Sequence, residues 1–206
     1  QLATGNWQLK PEIMSLERQL RLGRVLRAVG FDDAPFAHDD EQVQVAGVVC
    51  ADTRFEGLLW TRIARDGWDA TEVLSHALAA SKFMRQVHLV LLDGVALGGF
   101  NVVDLPQLAA RLELPCVAVM RRMPRLELVA RALARLEGGA ERWATVQRAG
   151  PIHSTEQLCF QVAGAEPALV ATALGRLCQH GKVPEPLRLA HLIGSAVASG
   201  QSSHRA

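Results

Sequence analysis

The sequence predicts a mixed α/β domain in which an antiparallel three-strand meander precedes alternating helices and strands. Strand-like apolar runs separated by short polar gaps occupy the first third of the chain. An apolar period of 3.6 residues begins only after the turn at Asp66-Gly67, and short apolar runs then alternate with amphipathic segments. This order predicts a sheet with helices on both faces. With 206 residues, 49% of them apolar and 21% charged, the chain can form one sizeable core and is unlike a disordered or fibrous protein.

Residue composition and the spacing of apolar residues predict the helices and strands of the first half of the chain. They are a short helix at 15–22, strands at 25–31, 42–50 and 54–64, and a helix at 69–84. The first strand stops at Asp32-Asp33-Ala34-Pro35, a turn sequence, and the second alternates polar and apolar residues before a valine pair. The helix opens with Asp69-Ala70-Thr71-Glu72, a capping-box pattern in front of an apolar stripe.

The second half predicts buried strands joined by helices. Its elements are a strand at 87–92, a helix at 104–112, a strand at 115–120, a helix with the apolar stripe Leu126, Val129, Leu133 and Leu136, a strand at 158–163, and helices at 165–179 and 186–198. The first of these strands is continuously apolar, as in a buried parallel strand, and ends at Asp93-Gly94 before a glycine-rich loop. Meander first and alternation second is the element order of a ribonuclease H-like domain.

The boundaries of this domain are predicted at residues 24–199. An extension with a short helix at 1–23 precedes it, and a tail at 200–206 follows it. Asp93 interrupts the most apolar stretch, so no transmembrane helix is expected. The N-terminus lacks a basic-then-apolar secretory pattern, and the four cysteines are widely spaced. We therefore expect reduced thiols, no membrane partner and a cytoplasmic location.

Charge is distributed unevenly, although the formal net charge is only +1. Residues 31–72 contain ten Asp and Glu against three Arg, whereas residues 121–148 contain seven Arg against three Glu. The two segments are consistent with a metal cluster beside a phosphate-binding strip, and equally with plain solvated surface. The balance excludes a globally basic nucleic-acid-binding chain.

Two aspartates stand at the ends of predicted strands. Asp32 ends the first strand and Asp93 ends the fourth. If these strands are parallel neighbours, both carboxylates project from the same edge of the sheet and form a hard oxygen site for magnesium or manganese. Such ions can activate water and stabilise the leaving oxygen in phosphodiester hydrolysis. Each Asp taken alone is equally explained as a turn residue.

A third carboxylate is needed for a complete metal site. Asp69, or alternatively Asp66, precedes the helix that leads to the fourth strand, so either can approach the site from the side. Asp69 has a competing structural role as the helix N-cap, with Glu72 closing the capping box.

Arginines supply the candidate phosphate contacts. Arg121-Arg122 ends the fifth strand at the edge expected for Asp93, where a guanidinium can hold a scissile phosphate. The candidate nucleic-acid-binding residues are Arg121, Arg122, Arg125 and Arg188. A structural role is expected for His88 in a strand and for His191 on an amphipathic helix.

Four separated motifs, in order, resemble domain-of-unknown-function family 99. They are Gly30 to Phe36, Asp66 to Glu72, Leu92 to Asp104 and Pro184 to His191, and the resemblance extends over nearly the whole chain after Arg24. That family is similar to endonuclease V, a ribonuclease H-like, magnesium-dependent enzyme that nicks inosine-containing nucleic acid.

The resemblance to endonuclease V implies roles for particular residues. Asp32 matches its Asp after the first strand, Asp93-Gly94 its Asp-Gly after the fourth, and Pro184 to Arg188 its Pro-Glu-Pro-x-Arg helix entry. Arg121 stands where endonuclease V has a catalytic Lys. The resemblance therefore implies a Mg- or Mn-dependent nuclease acting on DNA or RNA, with Asp32, Asp93, Asp69 and Arg121 as its catalytic residues.

Other positions depart from the endonuclease V pattern. Its catalytic Glu has no counterpart beyond Asp69 or Asp66, and its histidines after Asp-Gly are replaced by Val95, Ala96 and Leu97. Its Gly-His appears as Gly164-Ala165, and its Pro-Tyr wedge as Thr53-Arg54. These departures indicate altered substrate recognition, and the alternative is a weak or inactive nucleic-acid-binding protein on the same scaffold.

Overall fold

A seven-stranded mixed sheet runs through the centre of the computed structural model, which describes residues 16–179 and 181–203. Its strands are β1 (Arg27–Asp33), β2 (Gln42–Ala51), β3 (Arg54–Ala64), β4 (Leu89–Asp93), β7 (Cys116–Met120), β8 (His153–Ser154) and β9 (Cys159–Ala163). Their order across the sheet is β3-β2-β1-β4-β7-β9-β8. The first three strands are antiparallel neighbours, while β1, β4 and β7 are parallel. This confirms the predicted meander and mixed sheet.

Helices cover both faces of the sheet, as predicted. They are α1 (Leu16–Arg21), α2 (Ala70–Ala79), α3 (Leu105–Leu112), α4 (Leu126–Leu133), α5 (Gly139–Arg148), α6 (Pro167–Leu177) and α7 (Glu185–Ser199). Leu74 of α2 and Leu108 of α3 belong to the core on one face. Leu174 of α6 and Leu187 of α7 belong to the core on the other, which we call the α7 face. Burial on both sides explains why β4 is continuously apolar.

The alternation of side chains along β1 and β4 determines on which face of the sheet Asp32 and Asp93 lie. Phe31 and Leu92 point into the core beneath α2 and α3, and they lie opposite each other in the parallel register of β1 and β4. Successive strand residues point to opposite faces. Asp32 and Asp93, the next residue on each strand, therefore both point to the α7 face.

Close packing of α7 on β1 depends on a glycine. A Cβ at Gly30 would lie 2.7 Å from both the backbone nitrogen of Leu187 and the carbonyl carbon of Pro186. Only glycine admits that approach without displacing one element. The proline-rich entry predicted from the sequence is confirmed, because α7 begins at Glu185 directly after its N-cap, Pro184.

Several short elements were not predicted. Within the glycine-rich loop, β5 (Ala96–Leu97) and β6 (Asn101–Val102) form a two-stranded ribbon, and β8 and α5 also lack a strong period. The predicted apolar stripe ends early because the chain turns between α4 and α5 at Gly138, which has a positive φ of 66°.

The described residues also bear on the terminal and cysteine predictions. Residues 1–15 of the predicted extension at 1–23, and residues 204–206 of the predicted tail, lie outside the described part of the chain. Cys50 and Cys116 are buried free thiols, as expected, whereas Cys159 and Cys178 are only half-buried. None of the helices found within residues 16–179 and 181–203 has the length and apolar character needed to cross a membrane.

Candidate active site

Asp32 and Asp93 lie side by side where β1 and β4 end. The parallel pairing of Phe31 with Leu92 brings the two aspartates level on strands about 4.8 Å apart. Asp32 is only 3% exposed, and the side chain of Asp93 is 29% exposed. The sequence prediction of a shared edge is therefore realised by the register of two buried strands.

The environment of these carboxylates opposes their ionisation. Burial, reinforced by the charges of Asp93 and Asp33, raises the pKa of Asp32 to about 8. Burial also raises the pKa of Asp93, while Arg121 and His191 act in the opposite direction. Burial raises the pKa of Asp33, whose Oδ2 atom accepts a hydrogen bond from the backbone N–H of Gly98 at 2.9 Å. The site has more negative charge than its own cations neutralise.

His191 on α7 is a site residue that sequence reasoning missed. Its Nδ1 atom lies 2.9 Å from Oδ2 of Asp32, and its side chain is 28% exposed. This contact is compatible with the expected structural role, and it also places an imidazole beside the carboxylate pair. The sequence signal that could have identified His191 is its place at the end of the motif Pro184 to His191. It follows the buried Glu185 by six residues.

Arg121 reaches the same site from β7. Val119 pairs with Asp93 across β7 and β4, so Arg121 continues past the strand end on the α7 face. Its Nη2 atom lies 3.9 Å from Oδ2 of Asp93, and its side chain is 45% exposed. A guanidinium in that position can contact both the carboxylate and an incoming phosphate.

The other candidate arginines are distributed differently. Arg122 and Arg125 are exposed on the segment between β7 and α4. Arg188 lies on α7, where its Nε atom donates to Oε2 of Glu185 at 2.8 Å. Its side chain is 28% exposed, so part of the guanidinium is already engaged within the helix.

Asp69 faces away from the helix that it precedes. It occupies the N-cap position of α2, but its side chain makes no capping hydrogen bond, so the predicted capping box is wrong. Its Oδ1 atom instead accepts from the backbone N–H of Ala64 at 3.1 Å and from Nδ2 of Asn101 at 2.6 Å. Asn101 is fully buried and in turn donates to Ala64, which explains why the carboxylate points back toward β3.

Asp66 belongs to the same network. It has a positive φ of 50°, and its Oδ1 atom accepts from the backbone N–H of Phe100 at 2.8 Å. Within residues 16–179 and 181–203, no three His, Cys, Asp or Glu side chains group closely enough to hold a metal ion. The structure thus brings Asp32 and Asp93 together but adds neither Asp69 nor Asp66 to them.

The chemistry of the Asp32–Asp93 pair fits a divalent cation. Carboxylate oxygens are ligands that magnesium and manganese prefer, and a cation relieves the repulsion between two buried acidic groups. Magnesium is commonly held by one or two carboxylates, with waters and substrate phosphates completing its coordination. Two protein carboxylates are therefore a sufficient protein contribution at a site that binds a phosphodiester.

The arginine-rich strip at 121–148 divides into structural and exposed residues. Arg142 is buried. Its Nη2 atom donates to the carbonyl of Asp66 at 2.6 Å, and its Nη1 atom donates to the carbonyls of Gly67 and Phe100. Its guanidinium also lies over the ring of Trp68, 4.1 Å from the ring centroid. Arg148 pairs with Asp104, the N-cap residue of α3. The donors of Arg142 hold a loop together, so the candidates for phosphate contact within the strip are its exposed arginines.

Thr53-Arg54, the residues that the resemblance matches to the Pro-Tyr wedge, lie far from the Asp32–Asp93 pair. Thr53 lies in the turn between β2 and β3, and Arg54 begins β3. Arg54 pairs with Ala51, which pairs in turn with Arg27 at the start of β1. Asp32 lies five residues further along β1, roughly 17 Å away at about 3.3 Å per residue. The turn is therefore at the opposite edge of the sheet from the site.

Sequence comparisons relate the chain to one family of proteins. The family model described as endonuclease dU matches residues 24–198. A UPF0215 protein of Deinococcus radiodurans is 43% identical over 182 residues, which cover 87% of this chain and 93% of that relative. A UPF0215 protein of Methanothermobacter thermautotrophicus is 39% identical over 183 residues, covering 86% and 90% of the two chains.

Solved structures extend the similarity to the fold. An Archaeoglobus fulgidus protein, described as of unknown function, has a TM-score of 0.79 at 37% identity, covering 84% of this chain and 98% of that one. Bacillus subtilis endonuclease V has a TM-score of 0.56 at 14% identity, covering 95% of each chain. Ciona intestinalis endonuclease V, bound to DNA containing an inosine, has a TM-score of 0.55 at 13% identity, covering 82% and 84%. The chain therefore belongs to the endonuclease dU family, on a fold shared with endonuclease V.

Proposed function

We propose that the protein is a divalent-metal-dependent endonuclease that nicks DNA at or beside deoxyuridine. The observation that carries the proposal is the pair Asp32 and Asp93, two adjacent carboxylates with raised pKa values at the ends of parallel strands. The family description, endonuclease dU, supports deoxyuridine as the recognised nucleoside. The DNA bound by the Ciona endonuclease V supports DNA as the nucleic acid that is cut.

Asp32 and Asp93 would hold the cation, which fits their hard oxygen donors. When bound, a divalent cation supplies activation of the attacking water and neutralisation of charge on the scissile phosphate. Hydrolysis forms a new bond from the water oxygen to phosphorus and breaks one ester P–O bond. The leaving alkoxide takes up a proton.

Arg121 and His191 act on the substrate side of the site. The half-exposed guanidinium of Arg121 binds a non-bridging phosphate oxygen and keeps the phosphate beside Asp93. His191 donates its Nδ1 proton to ionised Asp32, which leaves Nε2 as an acceptor for a proton from water. A positioned acid or base of this kind typically contributes about 10²–10⁴-fold in rate.

Metal preference follows from the small number of protein ligands. Magnesium binds best where several charges converge, and within residues 16–179 and 181–203 no three His, Cys, Asp or Glu side chains group closely enough to hold a metal ion. Manganese has the higher affinity for the same ligands. We therefore expect slow cleavage that is faster with manganese than with magnesium, without strong selection for inosine.

The test compares wild type with Asp93→Asn on matched oligonucleotides. Each oligonucleotide carries one deoxyuridine, one inosine or no modified base, as single-stranded DNA, duplex DNA or RNA, with manganese, with magnesium or with chelator. Wild type should nick the deoxyuridine DNA, and Asp93→Asn should be slower by at least about 100-fold, since charge stabilisation by a metal is worth several kcal/mol.

Asp39→Asn is the matched control, because Asp39 lies in an exposed loop. It should cleave like wild type, and both variants should keep the wild-type circular dichroism spectrum. Equal background cleavage by wild type and Asp93→Asn would contradict the enzyme and leave a nucleic-acid-binding scaffold. Preferential cleavage of RNA or of inosine would contradict the proposed substrate but not the site.

A further inference from the structure

Three large apolar side chains are exposed on the chain segment that leaves the candidate site. They belong to Met123, Leu126 and Leu128, which are 56%, 42% and 46% exposed. Leu126 and Leu128 are two residues apart on α4 and therefore point to different sides of the helix. Met123, the most exposed of the three, is the candidate for contact with an apolar partner.

Met123 lies two residues after Arg121. The guanidinium of Arg121 lies 3.9 Å from the carboxylate of Asp93, which anchors the segment at the site. Because an extended chain spans at most about 3.6 Å per residue, the Cα atom of Met123 lies within about 7 Å of that of Arg121. That is about two nucleotide steps of ~3.4 Å along one strand of a duplex.

Cations surround the three apolar side chains. Residues 121–135 contain five arginines and one glutamate. No salt bridge to a carboxylate is found for Arg122, Arg125, Arg131 or Arg135 within the described part of the chain. The only fully buried residue of α4 is Leu133 near its end. The start of this segment is therefore free to meet a polyanion.

Apolar side chains set among unpaired arginines match the construction of duplex DNA, in which phosphates flank an apolar base stack. Proteins that kink a duplex insert Met, Leu, Ile, Phe or Pro between base steps while cations hold the backbone. We infer that Met123 inserts between adjacent base pairs beside the scissile phosphate and opens the stack there. Arg122 and Arg125 hold the flanking phosphates, and Pro124 restricts the backbone directly behind the wedge.

This inference deepens the proposed function, on which it rests, by stating how the site admits a base from a duplex. A basic amphipathic segment can also lie on an anionic membrane. Proximity to the candidate site favours DNA. Met123 follows Arg121 by two residues, and the guanidinium of Arg121 lies beside Asp93 at the end of β4. The membrane surface is therefore an outcome of the test.

The experiment measures base unstacking without cleavage. The Asp93→Asn protein is titrated into duplex DNA that carries 2-aminopurine at successive positions within about five nucleotides of the deoxyuridine. We expect a severalfold rise in 2-aminopurine fluorescence at one or two adjacent positions, and loss of that rise in Asp93→Asn/Met123→Ala at saturating protein. Asp93→Asn/Arg122→Ala should need more protein to reach the same fluorescence.

Phe55→Ala is the matched control. Phe55 is 50% exposed and apolar, but it pairs with Cys50 at the opposite edge of the sheet from Asp32. Added to Asp93→Asn, it should leave the fluorescence rise intact. In the cleaving protein, Met123→Ala should lower the ratio of duplex to single-strand cleavage by about tenfold, because unstacking a base step costs a few kcal/mol. Phe55→Ala should leave that ratio unchanged.

Failure of the wedge and failure of the nuclease are distinguishable. A fluorescence rise that depends on Met123, in a protein whose wild type cleaves nothing, supports the wedge and contradicts the nuclease. Cleavage with no unstacking, or unstacking that survives Met123→Ala, contradicts the wedge. Flotation with vesicles of phosphatidylserine and phosphatidylcholine tests the membrane: binding lost in Met123→Ala, together with no unstacking of DNA, would overturn the inference.

Discussion

The Nδ1 atom of His191 lies 2.9 Å from the Oδ2 atom of Asp32, although 159 residues separate the two along the chain. One residue belongs to the first strand of the sheet and the other to the last helix. Their contact joins the ends of the domain at the candidate active site. The geometry of the candidate site therefore depends on how closely α7 packs on β1.

The pH dependence of stability should report on Asp32. The pKa of this carboxyl is raised from 3.8 to about 8 in the folded protein, chiefly by burial and then by Asp93 and Asp33. Its contribution to stability is therefore complete below about pH 4 and is lost as the pH rises through about 8. In chelator, we expect wild type to lose on the order of a few kcal/mol relative to Asp32→Asn between about pH 5 and about pH 8.5.

Urea denaturation of both proteins at the two pH values measures this difference. Asp39→Asn, in an exposed loop, should follow wild type. Saturating manganese should restore the stability of wild type at the higher pH, since a ligand that binds only the folded state stabilises it. Parallel pH profiles for wild type and Asp32→Asn would show that Asp32 is not held in the environment described.

Gly30→Ala should separate α7 from β1. The added Cβ meets the backbone of Pro186 and Leu187 at 2.7 Å, and backbone cannot move aside as a flexible side chain can. We expect a loss of about 1–3 kcal/mol in the free energy of unfolding and a fall in cleavage, since His191 moves with α7.

Gly175→Ala provides the contrast to Gly30→Ala. Gly175 is inside α6 with nothing within 4 Å of its added Cβ, so alanine should stabilise by about 0.5–1 kcal/mol. Thermal unfolding measures both changes. Equal effects of the two substitutions would mean that α7 does not approach β1 as closely as described.

Arg142→Met should unfold the protein more easily without acting through DNA. The substitution leaves three backbone carbonyls without their donor, and we expect a loss of about 2–4 kcal/mol. Arg131→Met, on the exposed side of α4, is the control and should change stability by less than about 0.5 kcal/mol. Chemical denaturation in the absence of DNA measures the free energy of unfolding of both variants. Unchanged stability in Arg142→Met would contradict the structural role of Arg142 and leave it as a candidate for phosphate contact.

Salt dependence should identify the arginines that contact phosphate. Each phosphate contact contributes about −0.9 to the slope of log affinity against log salt for duplex DNA. Arg121→Ala, Arg122→Ala and Arg125→Ala should each reduce the magnitude of that slope by about 0.9, with little effect on base preference. Arg148→Ala should change it less, because Arg148 already pairs with Asp104 at 2.8 Å. Fluorescence anisotropy at several salt concentrations measures the slopes, and equal slopes for all four variants would contradict the assignment.

Much of the fold was predictable because its signals are local. The period of 2 in β2, the continuous apolar run of β4 and the stripe of α7 depend on a few neighbouring residues, and each element formed where its pattern indicated. The shared edge of Asp32 and Asp93 was predictable for the same reason, since both follow strands whose parallel order the element sequence implied. Short elements such as β5 and β8 carry too few residues to show a period.

The partners of particular side chains were decided only by the tertiary structure. Nothing in the neighbourhood of His191 indicates Asp32, nothing near Asp69 indicates Asn101, and nothing near Arg142 indicates the carbonyls that it binds. Each of these contacts joins segments distant in sequence, so each depends on the packing of helices onto the sheet. The sequence by itself indicated the longer strands and helices and the sheet edge that Asp32 and Asp93 share. The tertiary structure decided which polar groups complete that site and which hold the fold, because buried donors and acceptors bind whatever partner the packing brings to them.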